Sequence, residues 1–121
     1  MTKKKYFLII NRKGPYGSPY GRDALDIALV AATFNQCVRL LYMDDGVYQL
    51  LKNQDPTAIN QKNSSKLLPM LEMYEITEVY VERESLEARN LDQEDLAIPI
   101  QLISSSEAGV LIDQSQILLG F

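Results

Sequence analysis

The sequence contains no histidine and a single cysteine, Cys37. Without histidine, the chain lacks the side chain that most often ligates metal ions and acts as a general base near neutral pH. A lone cysteine excludes an internal disulfide and indicates a reducing compartment. The chain is long enough to bury a core without either kind of support. Its composition therefore argues against histidine-based catalysis and against a disulfide scaffold.

Long apolar runs and excess positive charge are also missing. No stretch approaches the roughly 20 consecutive apolar residues that span a membrane. The apolar run after the basic N-terminus stops at Ile10, and no cleavage-site pattern follows, so it is typical of a strand and not of a signal peptide. Lysine and arginine number 12 against 16 aspartates and glutamates, a net charge of −4. Since nucleic-acid binders normally carry a basic excess, we expect no direct nucleic-acid contact, no membrane segment and a cytoplasmic location.

Strand and helix patterns alternate along the 121 residues. Tyr6–Ile10 is apolar at every position, as in a strand buried on both faces of a parallel sheet. Gly21–Phe34 is helical and apolar around nearly its whole circumference, which predicts a partner subunit over the side that the sheet leaves uncovered. Further strands are predicted at 38–43, 79–81, 97–103 and 116–119. The alternation predicts one domain over residues 1–121, a three-layer α/β/α fold with a mainly parallel five-stranded sheet.

Capping and turn residues predict the shorter helices. Ser104 and Glu107 have the spacing of a capping box. A helix capped by Ser64 or Ser65 should run to about residue 74. One helical turn is expected at 47–51, and a short charged helix is expected at 84–90. Pro99 argues that the strand at 97–103 lies near a sheet edge.

The segment between the first strand and the first helix, NRKGPYGSPYGRDALD at 11–26, raises the question of phosphate binding. Its three glycines are spaced three and four residues apart, which fits neither a P-loop nor a dinucleotide fingerprint. Two aspartates in the first helical turn would repel a bound phosphate. Tyr16 and Tyr20 add aromatic surface to a proline-stiffened loop, which is typical of contact surfaces. The pattern favours a partner or ligand contact.

Cys37 and the carboxylates are the remaining side chains with chemical potential. Cys37 falls at the N-terminal end of the second strand, whereas ligands of parallel α/β sheets bind at carboxyl ends. We therefore expect a structural thiol. Asp44, Asp45 and Glu82 follow strands at their carboxyl ends, and a carboxylate cluster could hold Mg²⁺. With no lysine, histidine or phosphate loop nearby, solvated turn residues are the better interpretation, and we expect neither metal nor cofactor.

The chain as a whole resembles the DsrE/DsrF-like family of sulfur-relay proteins, and within it the TusC-type subunit. The resemblance covers the full length and rests on the order and spacing of several segments. They are YFLII at 6–10 with its Gly/Pro loop, GRDALD at 21–26, DGVYQL at 45–50, SLEARNL at 85–91 and the apolar C-terminal strand ending in Phe121. The resemblance implies a DsrE/DsrF-like domain of flavodoxin-like architecture.

The resemblance also implies a function. Such proteins assemble from three related chains into a heterohexamer, a dimer of heterotrimers, so TusB-type and TusD-type subunits would be the partners. The TusD-type subunit carries sulfur as a cysteine persulfide toward 2-thiolation of the tRNA wobble uridine. In the family this cysteine lies just after the third strand, where the present sequence has Glu82, and glutamate cannot carry a persulfide. The resemblance therefore implies a non-catalytic structural subunit, which we expect to self-associate when alone.

The partner surface is predicted at the carboxyl edge of the sheet, where two loops leave the first two strands. Tyrosine is enriched at interface hot spots because it combines a rigid ring with a hydroxyl, and a glycine turn could present one there. The predicted contact residues are Tyr16, Tyr20, Gly46, Val47 and Tyr48. The alternatives are a subunit of a related sulfur-oxidation complex, a Mg²⁺- or nucleotide-binding flavodoxin-like enzyme and a stand-alone regulatory homo-oligomer.

Overall fold

The structure, a computed structural model, describes residues 6–12, 20–34, 36–51, 70–115 and 117–120. The strands are β1 (Tyr6–Asn11), β2 (Cys37–Tyr42), β3 (Glu78–Glu82), β4 (Gln101–Ile103) and β5 (Ile117–Gly120). The α-helices are α1 (Tyr20–Thr33), α2 (Met70–Met73), α3 (Arg83–Ala88) and α4 (Ser105–Gln114). Two 3₁₀ helices cover Asp44–Leu50 and Gln93–Asp95. None of the helices within these ranges has the length and apolar content that a membrane crossing needs.

The strands lie in the order β4-β3-β2-β1-β5, and every neighbouring pair is parallel. From β1 to β4 the chain moves steadily toward one edge, and α4 then carries it back to β5 on the other side of β1. Because parallel crossovers are right-handed, this reversal puts α4 on the face opposite α1 and α3. The predicted three-layer fold with a parallel five-stranded sheet is confirmed.

The core consists of two hydrophobic clusters, one on each face of the sheet. Ile9 joins Ala24 of α1 in the larger cluster, whereas Leu8 and Ile10 join Ala108 of α4 in the smaller one. Successive residues of a strand point to opposite faces, so β1 contributes to both clusters. This explains why its sequence is apolar without interruption and why these three residues are at most 4% exposed.

Helix α1 carries more apolar surface than its own sheet covers. Its inner side is buried on the larger cluster. Ile27 and Val30 on its outer side are 36% and 56% exposed, and Phe34, the residue after its end, is 71% exposed. Their spacing of three and four residues is that of one helix face. We call these three residues the α1 stripe. The excess of apolar surface agrees with the sequence pattern, while a partner subunit over it stays a prediction.

Several element boundaries differ from the predicted ones. The helical turn predicted at 47–51 begins earlier, at Asp44. Of the helix predicted from Ser64 or Ser65, the structure describes only α2, since 52–69 lie outside the described residues. The strand predicted at 97–103 is shortened to β4, because Pro99 has no N–H to donate to the ladder. Its predicted place at a sheet edge is confirmed.

Gly46 lies where two backbone segments approach closely. It is buried in the 3₁₀ helix, and a Cβ on it would lie 1.9 Å from the carbonyl oxygen of Asn11. That oxygen also accepts a hydrogen bond from the backbone N–H of Met43 at 3.0 Å, so it is held in place. The prediction that Gly46 makes the turn that presents Tyr48 stays a prediction, and the structure adds a second reason for glycine at this position. Glycine is needed here because the end of β1 leaves no room for a side chain.

Replacing Gly46 by alanine should lower the free energy of unfolding by about 3 kcal/mol or more, because the added methyl group forces two buried backbones apart. Gly109→Ala is the matched control, since a Cβ at this position of α4 meets nothing within 4 Å. Removing a helical glycine should stabilise the protein by about 0.5–1 kcal/mol. Urea unfolding of both variants measures the difference, and equal stabilities would contradict the close approach.

Candidate functional site

The candidate site is the crevice between the carboxyl ends of β3 and β4. These neighbouring strands are followed by helices on opposite faces of the sheet, α3 on one and α4 on the other. Open parallel sheets bind their ligands at such a switch point, outside the carboxyl ends of the strands. Glu82, the last residue of β3, lies at this point.

The Glu82 carboxylate accepts hydrogen bonds from both faces of the sheet. The Ser85 hydroxyl of α3 donates to Oε1 at 2.5 Å, and the Ser105 hydroxyl of α4 donates to Oε2 at 3.1 Å. Ser85 Oγ in turn accepts from the backbone N–H of Asp44 at 2.8 Å. Glu82 is only 8% exposed, so water offers it little compensation and these hydroxyls are its main polar partners. One carboxylate thus joins α3, α4 and the segment after β2.

The N-terminus of α4 is already occupied by acceptors of this chain. Ser104 and Glu107 form the predicted capping box, with each side chain accepting the other residue's backbone N–H. The backbone N–H of Ser105 donates to Glu84 Oε2 at 3.0 Å. This hydrogen bond is the main reason that the pKa of Glu84 lies below its usual value. A helix N-terminus can bind an anion through its free N–H groups, but here those of Ser104, Ser105 and Glu107 are engaged.

The Arg89 side chain links α3 to the 3₁₀ helix Asp44–Leu50 through hydrogen bonds. Its Nε and Nη2 donate to Asp45 Oδ1 at 3.1 and 2.9 Å, and its Nη1 donates to the Ser85 carbonyl oxygen at 3.1 Å. The guanidinium carbon lies 5.9 Å from the centre of the Tyr48 ring, within reach of a cation–π contact. Asp45 is therefore paired with a cation of its own chain. Within the described ranges, no three histidine, cysteine or acidic side chains are grouped closely enough to hold a metal ion.

The predicted contact residues occupy different environments. Tyr48 is partly exposed on the 3₁₀ helix at the carboxyl edge. Gly46 and Val47 are buried, Val47 completely. They therefore offer no exposed side chain to a partner. Tyr16 lies outside the described residues, and Tyr20 begins α1 with a side chain that also lies outside them. Of the five residues, Tyr48 is the one whose side chain the structure describes as partly exposed, and contact of Tyr16, Tyr20 and Tyr48 with a partner stays a prediction.

The sequence patterns did not reveal the serines and the arginine of this network. Ser85 follows Glu82 by three residues. This spacing is that of neighbours on the first turn of a helix, so it could have suggested the hydrogen bond between the two side chains. Ser105 lies 23 residues from Glu82, and Arg89 lies 44 residues from Asp45. No local pattern links positions so far apart, since only the strand order brings them together.

Cys37 lies at the opposite edge of the sheet from Glu82. It is the first residue of β2 and pairs in register with Tyr6, the first residue of β1, which confirms its predicted place at the amino end. The thiol is half-buried and lines a cavity of about 180 Å³ together with Tyr74 and Glu78. The single thiol of this chain is therefore separated from the switch point by the length of the sheet.

Comparison with known proteins identifies a family model and several relatives that match most of the chain. The model of the DsrE/DsrF-like family matches residues 5–121. The intracellular sulfur oxidation protein DsrF of Allochromatium vinosum is 49% identical over 92 residues, which cover 76% of this chain and 68% of that protein. The TusC homologs of Vibrio parahaemolyticus and Pseudomonas aeruginosa are 36% and 38% identical, over 91% and 79% of this chain and 93% and 81% of their own lengths.

A solved structure extends the similarity to the fold. The crystal structure of the ychN protein from E. coli matches with a TM-score of 0.83, covering 98% of this chain and 100% of that one. The sequences are 21% identical, so this likeness concerns the arrangement of strands and helices alone.

Replacing Glu82 by alanine should destabilise the fold by about 1–3 kcal/mol, because two serine hydroxyls at the crevice lose their acceptor. Glu87→Ala is the control, since Glu87 is exposed on α3, the helix that follows Glu82, and should change stability by no more than about 0.5 kcal/mol. Chemical denaturation of both variants provides the comparison. If Glu82→Ala is no less stable than Glu87→Ala, the carboxylate does not hold the helices together.

Proposed function

Since this chain belongs to the DsrE/DsrF-like family, we propose that it is the TusC-type subunit of a cytoplasmic sulfur-relay complex. The complex passes persulfide sulfur toward 2-thiolation of the tRNA wobble uridine. TusB-type and TusD-type chains are the partners, in a dimer of heterotrimers, and the persulfide is carried by the TusD-type chain. The matches to TusC homologs over most of both chains support this assignment.

The position and contacts of Glu82 are the observation that carries the non-catalytic role. A sulfur carrier needs a thiolate near the carboxyl end of a strand, preferably at a helix N-terminus that lowers its pKa. At this position the chain has a carboxylate, and both of its oxygens accept hydrogen bonds from serine hydroxyls. The crevice that would admit a donor's persulfide is thus bridged by the chain's own side chains. The subunit contributes surfaces for assembly and no sulfur chemistry.

A related sulfur-oxidation complex is the second candidate setting, because DsrF is 49% identical over the matched region. The tRNA-thiolation complex and the sulfur-oxidation complex differ in the molecule that finally accepts the sulfur. The role of this subunit is the same in both. Expression of the chain in a strain that lacks its own TusC-type subunit separates them. Restored 2-thiolation of the wobble uridine supports the tRNA setting, and a stable hybrid complex without restored thiolation supports the oxidation setting.

The flavodoxin-like enzyme alternative loses support in the described part of the chain. It would use Asp44 and Asp45 at the carboxyl edge to hold Mg²⁺. Asp45 is paired with Arg89, and the backbone of Asp44 donates to Ser85. The Arg89 guanidinium would therefore compete with Mg²⁺ for the Asp45 carboxylate.

We expect the partner chains to contact the α1 stripe and Tyr48. The stripe supplies the apolar area that interface cores contain. Tyr48 supplies an aromatic side chain whose ring lies 5.9 Å from the guanidinium carbon of Arg89 in its own chain. A positioned side chain loses less conformational entropy on binding than a free one.

Substituting Tyr48 by alanine should weaken binding to the partner subunits by about 1–3 kcal/mol, the range for an interface aromatic that matters. The isolated fold should change little, because the ring is partly exposed. Tyr74→Ala, the same change at an exposed tyrosine near the amino edge, should leave the affinity unchanged. Titration of each variant with the partners measures this, and equal affinities for the two variants would remove Tyr48 from the interface.

Cys37→Ser should leave sulfur transfer through the assembled complex intact, because this thiol lies at the amino edge of the sheet, far from the switch point. Transfer of radiolabelled sulfur from donor to acceptor gives the readout, and size-exclusion chromatography confirms that the variant complex has assembled. Transfer that stops while assembly persists would make Cys37 a carrier and would refute the non-catalytic role.

A further inference from the structure

Asn11 and Tyr42 are buried polar residues at the carboxyl ends of two neighbouring interior strands. They are the last residues of β1 and β2 and pair with each other in register. Tyr42 belongs to the larger hydrophobic cluster, and Asn11 follows Ile9 of that cluster by two residues, so both side chains point to the α1 face. They are 1% and 0% exposed. Bulk solvent therefore reaches neither side chain.

The polar atoms of these two side chains have no hydrogen-bond partner in the part of the chain that the structure describes. This holds for the nitrogen and the oxygen of the Asn11 amide and for the hydroxyl of Tyr42. The two side chains are thus neighbours that do not bond to each other. Nearly all buried polar groups in proteins bond to the protein or to ordered water. Three unpaired atoms on two adjacent residues therefore indicate a small binding site.

The surroundings hold both side chains inside the molecule. The carbonyl oxygen of Asn11 accepts a hydrogen bond from the backbone N–H of Met43 at 3.0 Å, and Gly46 lies against the same carbonyl group. The Tyr42 ring is part of the cluster that contains Val47 of the adjoining 3₁₀ helix. Because neither residue can turn out to solvent, the partner has to come to them.

The chemistry of the three atoms selects a small neutral ligand. A primary amide offers two donors and one acceptor, and a hydroxyl can act as both. Burial raises the pKa of the Tyr42 hydroxyl, so the group stays protonated. An ion placed among these uncharged groups and their apolar neighbours would be strongly unfavourable. Water both donates and accepts, and a buried water typically bonds to about three polar groups that are otherwise unsatisfied.

We infer that the Asn11 amide and the Tyr42 hydroxyl bind one internal water molecule between the ends of β1 and β2. A bridging water gives hydrogen bonds nearly as favourable as direct ones. The segment after β1 is the less suitable source of a partner, because Arg12, directly after Asn11, is already exposed. The inference is independent of the sulfur-relay assignment, since it follows from the buried polar atoms alone.

Tyr42→Phe tests the inference in the full-length chain, because it removes the hydroxyl and keeps the shape of the ring. In urea unfolding the variant should show an unfolding equilibrium constant about fivefold larger than that of the wild type, since a hydrogen bond to the water is lost. A hydroxyl without any partner predicts the opposite, because deleting an unpaired buried polar group stabilises a protein. Tyr74→Phe is the matched control, since Tyr74 is 38% exposed and its hydroxyl change should leave the constant unaltered.

A crystal structure of the full-length chain, at a resolution that orders internal water, identifies the partner directly. One water should lie within about 3.2 Å of both the Asn11 amide and the Tyr42 hydroxyl. Three results would overturn the inference. They are a Tyr42→Phe variant at least as stable as the wild type, a side chain of the protein in the position of the water, and a site that holds neither.

Discussion

The fold depends on one buried carboxylate at the point where the chain changes from one face of the sheet to the other. Glu82 ends β3, and its two oxygens accept hydrogen bonds from serines of α3 and α4, which lie on opposite faces. Parallel sheets open a crevice at such a point, and a carboxylate buried there without donors would be strongly unfavourable. The hydroxyls of Ser85 and Ser105 supply those donors and close the crevice. A thiol that carries sulfur would need the same crevice open, so one residue cannot serve both purposes.

The proposed assembly role depends on the exposed surfaces of the chain. The 3₁₀ helix after β2 is held from two sides, by the backbone contact of Gly46 with Asn11 and by the pairing of Asp45 with Arg89. An exposed ion pair adds about 1 kcal/mol at most, so the buried glycine contact is the stronger constraint. Tyr48 is thereby presented on a rigid support. The α1 stripe adds an exposed apolar surface on another part of the molecule.

Much of the fold follows from local patterns in the sequence, because those patterns have local causes. The uninterrupted apolar run of β1 reflects a strand buried on both faces, Pro99 marks an edge, and Ser104 with Glu107 caps a helix. The role of Gly46 could not be predicted, because the clash that demands glycine involves Asn11, which lies in a different segment. The bond from Ser105 to Glu82 likewise depends on strand order, which periodicity does not encode. That Glu82 stands near a sulfur-carrying position came from the family resemblance, since a glutamate after a strand is by itself an ordinary turn residue.

The central claim is that this chain assembles with a sulfur carrier and does not carry sulfur itself. Intact-mass spectrometry of the complex with TusB-type and TusD-type chains, after incubation with a persulfide donor, tests it most directly. The TusD-type chain should gain the mass of one sulfur atom, removable by a thiol reductant, while this chain keeps its unmodified mass. A reducible gain of one sulfur on this chain would contradict the account, since Cys37 is the only residue that could hold it.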